Sequence, residues 1–166
     1  GETRLNFPTM LKIVALVAAF AAPPALAAEQ SAAYFGFVLI NTSQEPLDEA
    51  EHARLAMVQD RLKQKLIEAD RYTFVDVSPV ADKADHYQNL AHCNGCDAAL
   101  ARELGADVAI TAEIQKTSNL ILSMSIFVRD AETGELIGGG SADMRGNTDD
   151  TWRRAVDYIV RNRMAQ

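Results

Sequence analysis

Two hydrophobic periodicities alternate along the chain and predict its elements. Short runs rich in β-branched and aromatic residues, with apolar side chains at every second position, are typical of β-strands. Longer stretches with apolar residues three and four positions apart are typical of amphipathic helices. These patterns predict strands at residues 34–40, 72–77, 107–116, 120–130 and 136–144, and helices at residues 47–70, 96–104 and from about 148 onward.

The order of the predicted elements, β-α-β-α-β-β-β-α, indicates an α/β (α+β) fold. Helices between the first three strands provide the crossovers that parallel pairing needs, whereas short turns after the third and fourth strands allow antiparallel hairpins. We therefore expect a mixed five-stranded sheet with helices packed on it. Residues 28–166 are expected to form one α/β domain, because their number suits a single core.

Periodicity also predicts which side chains face the core. The charged face of the first helix, with Glu51 near its start, is expected to be solvated and to suit the helix dipole. Gly105 is expected to end the second helix, and Gly134 to occupy a hairpin turn. Glycines 138–140 are typical of a bulge or a close backbone approach. The predicted core positions are Leu55, Val58, Leu62, Leu66, Val108, Ile110, Ala112, Ile114, Leu122, Met124, Ile126, Val128, Trp152, Val156, Ile159 and Val160.

Residues 1–27 have the three parts of a secretory signal peptide. Lys12 precedes an apolar run at residues 13–22, and Ala25-Leu26-Ala27 supplies a small-x-small cleavage pattern. Met10 begins a typical signal-peptide opening, so residues 1–9 are an expected upstream extension. The apolar run is shorter than the roughly 20 residues of a membrane span. We expect cleavage and a periplasmic or secreted protein with no stable membrane span; an uncleaved N-terminal anchor is the alternative.

The charge balance limits the classes of molecule that can be binding partners. The chain has 16 basic and 23 acidic residues, a net charge of −7. Removing residues 1–27 takes away Glu2, Arg4 and Lys12, which leaves 14 basic and 22 acidic residues and a net charge of −8. An acidic surface disfavours nucleic acid and anionic membranes as partners. We expect no cofactor, since no nucleotide or haem motif is present in the sequence.

Cys93 and Cys96 are the two cysteines, three positions apart at the start of the second predicted helix. In an oxidising compartment the pair is expected to form a small structural disulfide. A redox dithiol is an alternative, because a helix N-terminus lowers a thiol pKa. A c-type haem site is excluded, because it needs His after the second cysteine and Asp97 stands there.

Metal binding is the third interpretation of the same stretch. His92, Cys93 and Cys96 offer soft ligands, and His86 or His52 would supply a fourth. A single C-x-x-C is a weak metal signal, so these residues are weak candidates. No Ser-His-Asp or paired-carboxylate pattern can be assembled, and we expect no enzymatic activity.

Several motifs carry a resemblance that covers nearly the whole mature chain. They are residues 71–76, the cysteine pair with residues 104–107, residues 129–134, and residues 145–149 with Trp152. They resemble a family of predicted secreted bacterial proteins of unknown function, and are similar to the N-terminal domain of TolB and to CsgG-like periplasmic domains. The resemblance implies an α/β periplasmic module that binds other envelope proteins. It implies no enzyme activity.

The sequence therefore predicts a non-enzymatic periplasmic interaction or assembly module, in a pathway that the residues do not specify. An edge strand or the polar stretch at residues 80–89 is expected to meet another envelope protein. The alternative function is a metal-binding or thiol-redox accessory protein that uses Cys93 and Cys96. The oligomeric state is left open.

Overall fold

A computed structural model describes residues 1–3 and 29–164. The predicted fold class is confirmed: a five-stranded mixed sheet carries four helices. The predicted signal peptide falls, apart from residues 1–3, outside the described residues. The strands are β1 (Gln30–Asn41), β2 (Tyr72–Phe74), β3 (Val108–Ser118), β4 (Ile121–Asp130) and β5 (Leu136–Met144).

The helices begin at residues suited to capping. Asp48 and Glu51 form a reciprocal capping box at the start of α1, and Thr148 caps α4. Gly105, after α3, and Gly134, in the β4–β5 turn, both have positive φ as predicted. The helices are α1 (Glu49–Glu68), α2 (Ala81–Ala84), α3 (Cys96–Glu103) and α4 (Asp149–Ile159), the last continued by a π-helical turn at Val160–Met164.

The strand order across the sheet is β2-β1-β3-β4-β5. β1 pairs in parallel with β2 and β3, and β3–β4 and β4–β5 are antiparallel hairpins, as the connections predicted. β2 is shorter than the predicted strand, because the chain enters a 3-10 turn at Ser78–Val80 soon after it. The sheet thus ends at a three-residue edge strand on one side and at the nine-residue β5 on the other.

The main core lies between one face of the sheet and helices α1 and α4. All the predicted core positions belong to it, with Leu55 only partly buried. A smaller cluster, built largely of alanines, lies on the opposite face beneath α3. Because α3 and the stretch at residues 80–90 lie over this face, Ala109 and Thr111 of β3 are buried, as are the four residues that alternate with them.

β1 contains a bulge at Phe35 and Gly36. The register with β3 passes from Tyr34–Ile110 to Phe37–Ala112. Gly36 has φ +83°, and a Cβ there would lie 2.7 Å from the side-chain oxygen of Gln59. Because of the extra residue, Phe37 and Tyr34 lie on the same side of the sheet, facing the main core.

The expectation that the charged face of α1 is solvated was wrong for Glu51. This residue is 1% exposed, and its carboxylate pairs with Lys116 of β3, which is 2% exposed. Lys116 continues the inward-facing series of β3, so its ammonium group needs a buried counter-charge. The pair therefore joins the start of α1 to the far end of β3.

Candidate interaction surface

β5 is the longer exposed edge of the sheet. In the described part of the chain it pairs with β4 and with no strand on its other side. Leu136 is 55% exposed and Ile137 is 50% exposed at its start. The register shifts there, because Arg129 faces Leu136 while Val128 faces Gly138. An edge with open backbone groups and apolar side chains is a surface on which another strand can pair.

Two of the three glycines of β5 lie where a neighbouring group approaches the strand closely, as predicted. Gly139 has φ +106°, and a Cβ there would lie 2.0 Å from the backbone oxygen of Ile126. A Cβ at Gly140 would lie 2.7 Å from Cγ of Arg163, in the π-helical turn. The C-terminal turn therefore packs directly on the β5 backbone.

A groove of about 450 Å³ runs between β5 and α4. Its walls include Met144 and Ala155, and Tyr158, 41% exposed, lines it. Arg145, Arg154 and Asp143 add charged groups of both signs along the groove. The edge of β5 thus has an amphipathic surface beside it, which a bare strand edge lacks.

Residues 80–89 form the other predicted contact surface. The stretch folds into the short α2 and successive turns, which agrees with the predicted loop or short helix. Lys83 forms an ion pair with Glu103 of α3, and Tyr87 is 44% exposed. The stretch lies on the face of the sheet opposite the main core, where it lines a cavity with Phe35 and Thr111.

The cysteine pair lies at the junction of a 3-10 turn and α3. The Cα atoms of Cys93 and Cys96 are 5.6 Å apart, and their Sγ atoms are within bonding distance. This Cα separation is within the range that disulfides adopt. Asn94 and Gly95 between them both have positive φ, so the chain makes a tight turn into the helix.

The segment before the cysteines is fastened to β3. One carboxylate oxygen of Glu113 accepts a hydrogen bond from Nδ2 of Asn89 at 2.9 Å and lies 3.0 Å from Nε2 of His92. The His92 ring also meets Phe127 edge to face, with centroids 5.6 Å apart. His92 is therefore engaged with the sheet.

The other candidate metal ligands are dispersed. Nδ1 of His86 lies 2.6 Å from the backbone oxygen of Asp82, and His52 is an exposed residue of α1. Within residues 1–3 and 29–164, no three or more His, Cys, Asp or Glu side chains are grouped to hold a metal ion.

Asp97 follows Cys96 and is 1% exposed. Burial raises the pKa of its carboxyl, against the opposing effects of the Ala98 amide and the charge of Arg129. Nε of Arg129 is 3.2 Å from Oδ2 of Asp97 but is not directed for a hydrogen bond. The pair ties the start of α3 to β4.

A buried polar network at the other end of the sheet was missing from the sequence prediction. Glu51 accepts hydrogen bonds from Lys116 and from Nδ2 of Asn147, the latter at 2.7 Å. The side-chain oxygen of Asn147 accepts from Nε1 of the fully buried Trp152 at 2.9 Å and from Arg54 at 3.2 Å. The network joins α1, β3 and the β5–α4 loop, and so fixes α4 beside the β5 edge.

Opposing effects set the pKa of Glu51. Burial alone would raise it, but hydrogen bonds from Lys116, the Asp48 amide and Asn147, with the charge of Lys116, hold the pKa below its usual value. Two hydrogen bonds of 2.7 Å from Arg61 likewise hold the pKa of Asp157 below its usual value, and they join α1 to α4.

The described helices include none long and apolar enough to cross a bilayer.

The fold is thus a mixed α/β domain with one long open edge, and its family is identified by sequence. Residues 30–164 match the model of the family DUF3280, described as "Protein of unknown function (DUF2380)". The chain belongs to this family. The predicted membership of a family of unknown function is confirmed. Comparison with proteins of curated function found no match.

Solved structures share the fold at low sequence identity. The LpoB C-terminal domain from Salmonella enterica is similar with a TM-score of 0.52 and 15% identity, over 74% of this chain and 87% of that chain. The hypothetical protein CT253 from Chlamydia trachomatis is similar with a TM-score of 0.51 and 16% identity, over 81% of this chain and 95% of that chain.

The predicted TolB likeness is weaker. TolB from Acinetobacter baumannii gives a TM-score of 0.41 at 11% identity, over 78% of this chain and 26% of that chain, which is too low to support an argument. The CsgG-like resemblance stays a prediction.

Proposed function

We propose that this protein is a non-enzymatic interaction module of the bacterial periplasm, and that it binds another envelope protein through the edge of β5. The exposed edge is the observation that carries the proposal. Leu136 and Ile137 are half exposed where β5 begins, and the outer side of the strand pairs with nothing in the described residues. Strand addition would satisfy the backbone groups and cover these side chains.

The groove between β5 and α4 supports this choice over the β2 edge. An added strand would extend the sheet beside Tyr158 and Met144, which line that groove. β2 has three residues and offers fewer ladder bonds. The buried network around Asn147 holds α4 in place, so the surface is preformed, which reduces the entropy lost on binding.

A predicted export signal supports the proposed location. The pattern at residues 1–27 is that of a secretory signal peptide. The mature N-terminus would lie near Ala28, close to the start of β1 at Gln30. The mass of the protein purified from an exporting host tests this: a chain beginning near Ala28 is expected, and retention of residues 10–27 would contradict cleavage.

The cysteine pair is proposed to be a structural disulfide that closes the turn into α3. Fastening of the same segment by Asn89 and His92 to Glu113 supports a static role. The redox alternative has one supporting observation, the buried Asp97 beside Cys96, with its raised pKa. Alkylation before and after graded reduction separates the two, because a structural disulfide resists mild reductant and a redox pair does not.

Paired charge substitutions test the docking edge. Ile137→Lys places a charge on β5, and Ile67→Lys places the same charge at a position of α1 that is 51% exposed. Size-exclusion profiles of envelope extracts are expected to show wild type and Ile67→Lys in a complex larger than the monomer, and Ile137→Lys as the monomer. Wild type eluting as a monomer, or both variants staying in the complex, would contradict the proposal.

A further inference from the structure

A second site lies away from the β5 edge, between β1, β3 and the stretch at residues 80–90. It is a cavity of about 340 Å³, here called the bulge cavity, and Phe35, Gly36 and Thr111 form part of its lining. Its volume lies within the range of small-molecule sites. The sheet supplies its floor, and α2 with the turns after it supplies the opposite wall.

An unpartnered polar group sits at this cavity. Thr111 is 3% exposed, and its Oγ1 has no hydrogen-bond partner among the described residues. In the β1–β3 register, Ile110 faces Tyr34 and Ala112 faces Phe37, so Thr111 lies opposite the bulge. A buried hydroxyl normally finds a partner, because leaving it unpaired costs free energy. The bulge and the unpaired hydroxyl therefore coincide in one cavity.

The lining indicates the class of ligand. The wall is mixed: Phe35, Val38, Val77 and Leu90 supply apolar surface, and Gln88 and Asn89 supply neutral polar groups. The described lining residues include one carboxylate, that of Asp85, and no cationic side chain. A phosphate or a carboxylate would thus meet a negative charge without a counter-charge.

We propose that the bulge cavity binds a small neutral molecule with an apolar part and a polar group, and that the polar group hydrogen-bonds to Oγ1 of Thr111. The ligand relieves the unpaired hydroxyl and covers the aromatic wall. This activity is independent of the β5 edge, which lies two strands away in the sheet.

Three probes of similar size test the chemistry by amide chemical-shift titration of the purified protein. Benzyl alcohol has the polar group, toluene lacks it, and benzoate is anionic. Benzyl alcohol is expected to cause saturable shifts around Gly36 and residues 84–90, with a Kd of about 1 mM. Toluene is expected to bind about tenfold more weakly, and benzoate to cause no saturable shift there.

Matched variants assign the hydrogen bond. Thr111→Val keeps the side-chain shape. It should weaken the binding of benzyl alcohol about tenfold and change the affinity for toluene less than twofold. Thr117→Val, the same change at an exposed position of β3, should leave the affinities for both probes unchanged. Ala84→Trp fills the cavity from α2 and should abolish both, which keeps the test independent of Thr111.

The proposal is overturned if benzyl alcohol causes no saturable shift at the cavity, or if benzoate binds as well as benzyl alcohol. It is also overturned if Thr111→Val leaves the benzyl alcohol affinity unchanged.

Discussion

The Glu51–Lys116 pair gives the sharpest stability prediction. Both side chains are 2% exposed, so neither charge has water as an alternative partner. Lys116→Met keeps an unbranched side chain one atom shorter, and leaves a buried carboxylate without its cation. Breaking a buried pair in this way costs about 3–5 kcal/mol. Glu51 keeps its bonds from the Asp48 amide and Asn147, so we expect the lower end, about 3 kcal/mol.

Chemical denaturation measures this loss, and a midpoint about 10 °C lower is expected on heating. Glu51→Gln should also destabilise, because it leaves the ammonium group unpaired. The double variant removes both charges and should be no less stable than either single variant, a coupling of about 2 kcal/mol or more. Lys65→Met is the matched control: its partner Glu68 is 51% exposed, and the cost should stay within about 0.5 kcal/mol.

The same pair predicts a dependence on pH. The folded-state pKa of Glu51 lies below its ordinary value of 4.5, so its stabilisation is present above pH 4.5 and is lost as the pH falls through the folded-state pKa. The stability difference between wild type and Glu51→Gln should therefore shrink on acidification. The reasoning is refuted if the double variant loses as much stability as the two single variants together. It is also refuted if Lys116→Met costs less than about 1 kcal/mol.

Three further substitutions test the fold and its sites by equilibrium unfolding. Gly139→Ala places a Cβ 2.0 Å from a backbone oxygen at positive φ, and should cost about 3 kcal/mol, whereas Gly134→Ala, which meets nothing within 4 Å, should cost about 1 kcal/mol. Equal costs would contradict the close approach. Replacing Cys93 and Cys96 with serine should cost about 2 kcal/mol if they close a four-residue loop, and no loss would count against the disulfide. Thr111→Val should be neutral or stabilising, because it removes an unpaired buried hydroxyl; a loss above 1 kcal/mol would mean that the hydroxyl is bonded.

Much of the fold could be predicted because local pattern and burial agree. The inward series from Val108 to Ile114 is a two-residue alternation, and the apolar face of α4 around Trp152 follows the helical period; both are confirmed. The turn at Gly134 followed from its conformational freedom. These features depend on neighbours in the sequence.

The missing features depend on partners distant in sequence. Lys116 stands in an inward position of β3, but nothing near it predicts that Glu51 lies within reach. Asn147 links Glu51 to the indole of Trp152, and both partners are distant from each other in the sequence. The available sequence signal was Lys116 itself, a charged residue at the next inward position after an apolar alternation.

The candidate surfaces were only partly predictable. The glycines of β5 indicated a bulge or close approach, and the structure confirms the close approach at Gly139. That β5 is the edge follows from the strand order, which local pattern does not determine. The unpaired hydroxyl of Thr111 lies opposite the bulge at Gly36. A glycine within a strand pattern often indicates a bulge.

The most direct test of the docking edge is photo-cross-linking in the exporting cell. A benzophenone amino acid is placed at Ile137 on β5 or at Ile67 on α1, positions of nearly equal exposure at 50% and 51%. We predict a discrete cross-linked species of higher mass for position 137 and none for position 67. No cross-link at position 137, or equal products at both positions, would contradict the claim that β5 binds the partner.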